Sequence, residues 1–355
     1  MKFRAFKYLL PFGIYVATWR SFHHFGWETF LPVIYAFGFI PLVEMLITSS
    51  NRNMTQAEET IAQNDPVYDW FLYLIIPLQY LALYWFLTGI TDTGLLWWEK
   101  LGRIWSMALS CGAFGINVGH ELGHRAKTYE QWMAKALLLT SLYTHFFIEH
   151  NKGHHKHVCT PSDPSSAPKG MNLYRFWIRS VWGTWRDAWK IADLELKKKG
   201  LPVWHYKNEM LQLQVLQILF LTAIGMLFGW KACGYFMLAA MGGFLLLETV
   251  NYIEHYGLSR RELSAGKYER AMPQHSWNSN HVLGRLMLFE LSRHSDHHYL
   301  ASRKYQVLRH HDEAPQLPTG YPGSMILAAF PPLWFAIMDK KIEASRKSIQ
   351  TEMTG

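Results

Sequence analysis

Histidine is the residue type whose spacing in this chain points to chemistry. Three segments carry it at short intervals: His120-Glu121-Leu122-Gly123-His124, Glu149-His150-Asn151-Lys152-Gly153-His154-His155 and His294-Ser295-Asp296-His297-His298. Residues three or four apart share a helix face, so His120/His124, His150/His154 and His294/His297/His298 can each present imidazoles in one direction. A single histidine, His255, closes an apolar run in Asn251-Tyr252-Ile253-Glu254-His255-Tyr256-Gly257. Imidazole suits iron, zinc, copper and nickel, and one such ion takes about four to six ligands. The clustered histidines exceed the needs of one ion and satisfy two. Non-haem iron fits such a nitrogen-rich set first, zinc second. His23, His24, His145, His157, His205, His310 and His311 lack companions at ligand spacing and read as hydrogen-bonded structural residues.

Two ions held by neutral imidazoles keep a high positive charge and open positions, which is what binding and reducing dioxygen requires. The chemistry implied is oxidation of an unactivated C–H bond. Glu121, Glu149, Glu254 and Asp296 adjoin the histidines. Neighbours on a helix point about 100° apart, so these acids read as groups that orient other histidines from behind, or as plain interfacial charges. His120 to His124 also spells the metalloprotease pattern of two zinc-binding histidines and a glutamate base. A peptidase needs only one further ligand and leaves the other histidines unexplained. A metal transporter or sensor would place polar ligands along apolar segments, whereas here they gather at segment ends.

The elements that position these residues are apolar helices. Half of the 355 residues are hydrophobic and 15% are aromatic, gathered in long runs as in a membrane protein. Spans of about 20 residues are expected near 8–22, 28–48, 67–90, 101–119, 211–230 and 233–253. The first is weak, with Pro11 and Arg20 inside it. The expected fold is therefore all-α: one polytopic membrane domain of about six transmembrane helices with a histidine-rich helical part, residues 120–210 and 254–320. Basic residues crowd the segment after the fourth span, from Arg125 to Lys199, and sit at Lys2, Arg4 and Lys7. That bias puts the N-terminus and all four histidine motifs on the cytoplasmic side. The apolar stretch Trp132 to Phe147 must then not cross, since a crossing would part the first two motifs. Residues 172–200 mix Trp177, Trp182, Trp185 and Trp189 with Lys and Arg, as in a helix at headgroup level, and residues 160–170 read as a loop. Residues 325–338 are too short for a span, and Lys340 to Gly355 reads as a polar tail. The net charge of +8 follows from the same membrane bias and calls for no nucleic acid. Cys111, Cys159 and Cys233 form no paired motif and no Gly-rich dinucleotide fingerprint is present, so electrons for redox chemistry must come from another protein.

At Asn117-Val118-Gly119-His120-Glu121-Leu122-Gly123-His124-Arg125, and at the other motifs quoted above, the chain resembles the membrane-bound alkane 1-monooxygenases of the integral-membrane di-iron desaturase and hydroxylase class. His275-Ser276-Trp277-Asn278-Ser279-Asn280-His281 belongs to the same resemblance, which runs from about residue 100 to 335. It implies two non-haem iron ions held by His120, His124, His150, His154, His155, His255, His294, His297 and His298, with His275 and His281 in supporting roles. It implies terminal hydroxylation of alkanes from the bilayer, with dioxygen, and electrons from a separate rubredoxin served by rubredoxin reductase. It also implies residence in the bacterial inner membrane among its lipids. Related desaturases, and hydroxylases of fatty acyl chains or aryl methyl groups, are the neighbouring alternatives. Two departures stand out: Arg125 for a usual lysine, and Ser292 where glutamine is common.

Overall fold

The computed structural model of the protein describes residues 2–354. It is helical throughout, apart from a small antiparallel hairpin pairing Glu262–Ser264 with Lys267–Tyr268. Among the described residues, four helices are long and apolar enough to cross a membrane: Gly26–Leu46, Pro66–Gly89, Glu209–Phe228 and Trp230–His255. A fifth crossing is available if Tyr321–Ala328 and Pro331–Ser345, bent by 120° at their junction, form one broken span.

Local chemistry sets the boundaries. Asp65 caps Pro66–Gly89, its carboxylate accepting from Val67 N at 3.0 Å, and Pro66 supplies the preset first position. Asn208 caps Glu209–Phe228 in the same way through Met210 N and Leu211 N. Gly229, at φ +87°, then reverses the chain directly into Trp230–His255. Ile218, Leu219, Met226 and Leu227 on this hairpin stay exposed, a surface suited to acyl chains rather than water.

Two of the six expected spans are helical but fall outside that set. Residues 8–22 divide between the 3-10 helix Lys2–Phe12 and the helix Gly13–His23, two segments of 11 residues each that follow one another directly. Residues 101–119 lie in a longer helical run, Trp97–Ser110, Cys111–Ile116 and Asn117–Gly123. Its first turns carry Glu99, Lys100 and Arg103, which lower its apolarity. The buried Arg103 guanidinium donates to Gly89 O at 2.7 Å and His24 O at 2.9 Å, closing the ends of two neighbouring helices. Residues 325–338 enter the bent pair, and the expected polar tail is helical as far as Thr354, with Gly355 outside the described residues.

The centre of the bundle is the contact between Trp97–Gly123 and Trp230–His255, and small residues make it close. A Cβ on Gly112 would stand 2.9 Å from Gly243 O, and one on Gly242 would meet Ala108 Cβ at 2.7 Å. Gly115 and Gly119 face residues 134–141 just as tightly. The glycines of this run therefore serve packing, and Gly112 also borders an apolar cavity. Thr128–Leu139, with 12 residues, is too short to cross and lies packed on Asn117–Gly123. Leu173–Lys197 buries a stripe of Phe176, Ser180, Thr184, Ala188 and Ala192, and exposes Ile178 and Trp182, as a helix lying along an interface does.

Candidate metal centre

The nine clustered histidines converge at one end of the bundle and sort into two groups. His120, His124, His150, His155 and His297 form one, and His154, His255, His294 and His298 the other; within each, the candidate ligand atoms lie within 4.8 Å of one another. In the first group His120 Nε2 is 2.8 Å from His297 Nε2, and His155 Nε2 is 3.0 Å from both His150 Nε2 and His297 Nε2. In the second, His298 Nε2 is 2.9 Å from His294 Nε2 and 3.2 Å from His154 Nε2. The groups adjoin, His155 and His298 having ring centroids 4.5 Å apart.

Backbone register decides the sorting. His120 and His124 sit one α-turn apart at the end of Asn117–Gly123 and stay together. His150–His154 is instead a π-turn, whose i to i+5 bonding aligns His150 with His155. His154 is thereby turned to the other group, so the expected pairing of His150 with His154 gives way to His150 with His155. In His294–Tyr299 the i,i+4 pair His294/His298 shares one group, while His297 projects into the first.

The chemistry of the donor set fits metal ions. Ligands about 2.1 Å from an ion and at right angles to one another lie about 3 Å apart, which is the spacing of these nitrogens. Imidazoles that aim their Nε2 atoms at a common point cannot satisfy one another, and His124 Nε2 and His255 Nε2 are buried without any partner. Burial, reinforced by neighbouring imidazoles, holds His120, His150, His155, His294, His297 and His298 well below the ordinary histidine range, and they keep a free nitrogen lone pair. The same causes depress His124, with Arg125 contributing.

The supporting acids divide. Glu254 takes the Tyr321 hydroxyl at 2.6 Å and lies 3.1 Å from His294 Nε2, so it meets the ligand-side nitrogen directly. Glu121 binds Arg125 at 2.6 Å and Tyr305 N at 3.2 Å and bridges no histidine. Glu149 is buried, its carboxyl pushed well up by burial and by the neighbouring Asp163 and Glu248 carboxylates. Asp296 gathers His311, Arg303 and Arg309 N, bracing the segment behind the third motif. His275 contributes its carbonyl, 3.3 Å from His255 Nδ1, and its ring faces Glu269. His281 bonds Ser279 at 3.0 Å and stands outside both groups.

Asp163 carries a role its sequence context did not announce. It is fully buried, and its Oδ2 lies 3.0 Å from His154 Nδ1. Burial raises its pKa, but His154 and the Ser166 hydroxyl outweigh that and hold it below the usual range. The ionised carboxylate accepts the Nδ1 proton and leaves His154 Nε2 free for a metal. The remaining histidines behave structurally: His145 lies near Thr184 and is pushed by burial to about 3, and His310 bonds Asn280 and Asp312. Of the two departures, Arg125 reaches Glu121 and Asp69, and Ser292 donates to Ser279 O.

Comparison with known proteins places this arrangement. The fatty acid desaturase family profile matches residues 95–326. The chain is 42% identical to alkane 1-monooxygenase 2 of Pseudomonas aeruginosa over 349 residues, covering 96% of this chain and 92% of that protein. It is 38% identical to an alkane 1-monooxygenase of Pseudomonas putida over 89% of this chain and 79% of that one. It is also 32% identical to a xylene/toluene monooxygenase hydroxylase component of Pseudomonas putida, over 76% and 72%. The chain therefore belongs to the fatty acid desaturase family and, inside it, to the alkane 1-monooxygenases.

Proposed function

We propose that the protein is a di-iron monooxygenase that hydroxylates the terminal methyl group of alkanes, lies in the bacterial inner membrane with its histidines facing the cytoplasm, and takes electrons from rubredoxin. The observation that carries this is the pair of adjacent histidine groups, accompanied by an apolar cavity of about 90 Å³ that none of the nine histidines lines. The cavity is walled by side chains such as Ile40, Leu109, Leu247 and Met287 and also touches Asn117 and Tyr321. Asn117 lies three residues before His120, and Tyr321 donates to Glu254 beside His294. A methyl-ended chain fits such walls without leaving a polar group unsatisfied, and apolar walls that exclude water protect an oxidising site from side reactions.

The nine histidines, with Asp163 and the His275 carbonyl fixing tautomers, would hold the irons. Iron bound there would supply dioxygen activation, in which an alkane, dioxygen, a pair of electrons and a pair of protons give an alcohol and water. His120, His124, His150, His155 and His297 would serve one ion, His154, His255, His294 and His298 its neighbour. Glu254 would provide a carboxylate at the second group, steadied by Tyr321. The span ends around these residues would deliver substrate from the bilayer core, and the chain would act as one membrane domain of about six crossings. The basic face from Arg125 to Lys199 would favour an acidic redox partner.

Metal content in gently solubilised protein tests the reading. About two irons per chain, with a terminal alcohol formed from an n-alkane and reduced rubredoxin, is the expected result. About one zinc and no iron would overturn it. Competition among an alkane, a xylene and a fatty acid would separate this substrate class from its neighbours.

A further inference from the structure

Away from the histidines, a cavity of about 450 Å³ opens where three parts of the chain meet. These are the N-terminal turn with Arg4 and Lys7, residues 50–53, and the segment with Arg285, Glu290 and Arg293. Its lining holds five basic residues, Arg4, Lys7, Arg52, Arg285 and Arg293, against two acids, Glu58 and Glu290. Both acids are already engaged. Glu290 takes Tyr8 at 2.8 Å, Lys7 at 3.1 Å and Arg285 at 2.6 Å, and Glu58 takes Arg4 at 2.6 Å and Thr55 N at 2.9 Å.

Positive charge is left over. The Arg52 side chain is 73% exposed and comes no closer than 3.8 Å to Glu58. Arg293 is buried, and its terminal nitrogens donate to the carbonyls of Leu308, Ser50 and Arg52 and to Asn53. Carbonyls satisfy donors without cancelling a charge, and Arg293 Nε, also buried, has no acceptor at all.

Position identifies the anion. Residues 50–53 follow the candidate span Gly26–Leu46 after residues 47–49, and Met45, Leu46 and Ile47 at the end of that span are exposed. An apolar lip beside an unneutralised cationic cup is the surface a lipid meets at headgroup depth, and basic clusters at span ends attract anionic lipids. We propose that this cavity binds the phosphate of an anionic phospholipid, with Arg52, Lys7 and Arg293 turned to its oxygens and the acyl chains along Met45 to Ile47. Guanidinium suits phosphate because its forked donors match the oxygens. Arg293 directly precedes His294, so a lipid held here also steadies the start of the third histidine segment.

The test uses the full chain in detergent micelles, titrated separately with phosphatidylglycerol, phosphatidylcholine and inorganic phosphate, reading bound lipid phosphorus and the unfolding midpoint. Phosphatidylglycerol is expected to bind and raise the midpoint, with the other two giving little change at equal concentration. Arg52→Gln should weaken that binding about fivefold, and Lys7→Gln added to it about fivefold more. If the double variant does not fold, since Lys7 pairs with Glu290, the single exposed Arg52→Gln still decides. Equal binding of phosphatidylcholine, unchanged binding by Arg52→Gln, or a full shift from inorganic phosphate alone would each overturn the proposal.

Discussion

The two histidine groups are built by different means. The group of five draws His120, His124, His150, His155 and His297 from three short helical segments, whose backbone register turns them toward one another. The group of four is braced from outside: Asp163 behind His154, Glu254 against His294, and the His275 carbonyl with Cys159 and Ser276 around His255. On the proposed assignment one group would have a ligand to spare, while the other would depend on each of its four and on the carboxylates and carbonyl behind them.

That contrast predicts unequal responses to matched substitutions. The largest effect is expected from His255→Ala, which leaves the smaller group with three imidazoles: iron per chain should fall by about one and hydroxylation by more than about 100-fold, since even loss of a supporting partner costs 10–100-fold. His124→Ala leaves four imidazoles in the larger group and should retain its iron. Equal metal loss in the two variants, counted by elemental analysis, would remove the asymmetry. Asp163→Asn comes next. It keeps size but loses the charge that fixes the His154 tautomer, and a 10–100-fold drop in iron affinity or turnover is expected, measured by chelator competition. Tyr321→Phe should do less, costing about 1 kcal/mol of stability through one lost hydrogen bond to Glu254, with iron content unchanged.

The smallest effect on metal content concerns what both groups share, the segment leading into His294. Glu290 is opposed by its own burial, yet Arg285, Lys7 and Arg293 hold its carboxyl at about 2. Its folded pKa lies below its unfolded value of about 4.3, so its stabilisation is complete above that value and fades as pH falls toward 2. Glu290→Gln should therefore leave both groups filled at neutral pH while lowering stability, and the gap from the parent should narrow as pH drops below about 4, followed by denaturant midpoints.

The sequence made the candidate ligands legible because metal-binding histidines need companions at short, helix-like intervals, and His120/His124 and His294/His298 keep that spacing and fall in common groups. Their partition was not legible. A π-turn at His150–His154 adds a residue to the turn, and no side-chain pattern announces it. Asp163 was hidden for another reason: it lies in a Pro- and Ser-rich loop, and only the fold carries that loop beneath His154. Apolar runs located the four helices long and apolar enough to cross, while 8–22 is divided between two helical segments and 101–119 lies in a run that opens on Glu99 and Arg103, which bond Gly26 N, Gly89 O and His24 O.

Gly229 joins Glu209–Phe228 to Trp230–His255 by itself, at the end of the second helix opposite His255. A connector of one residue leaves almost nothing to translocate during biogenesis. The two helices must enter the bilayer as a ready-made hairpin, and a protease applied to that face finds no strand to cut between them.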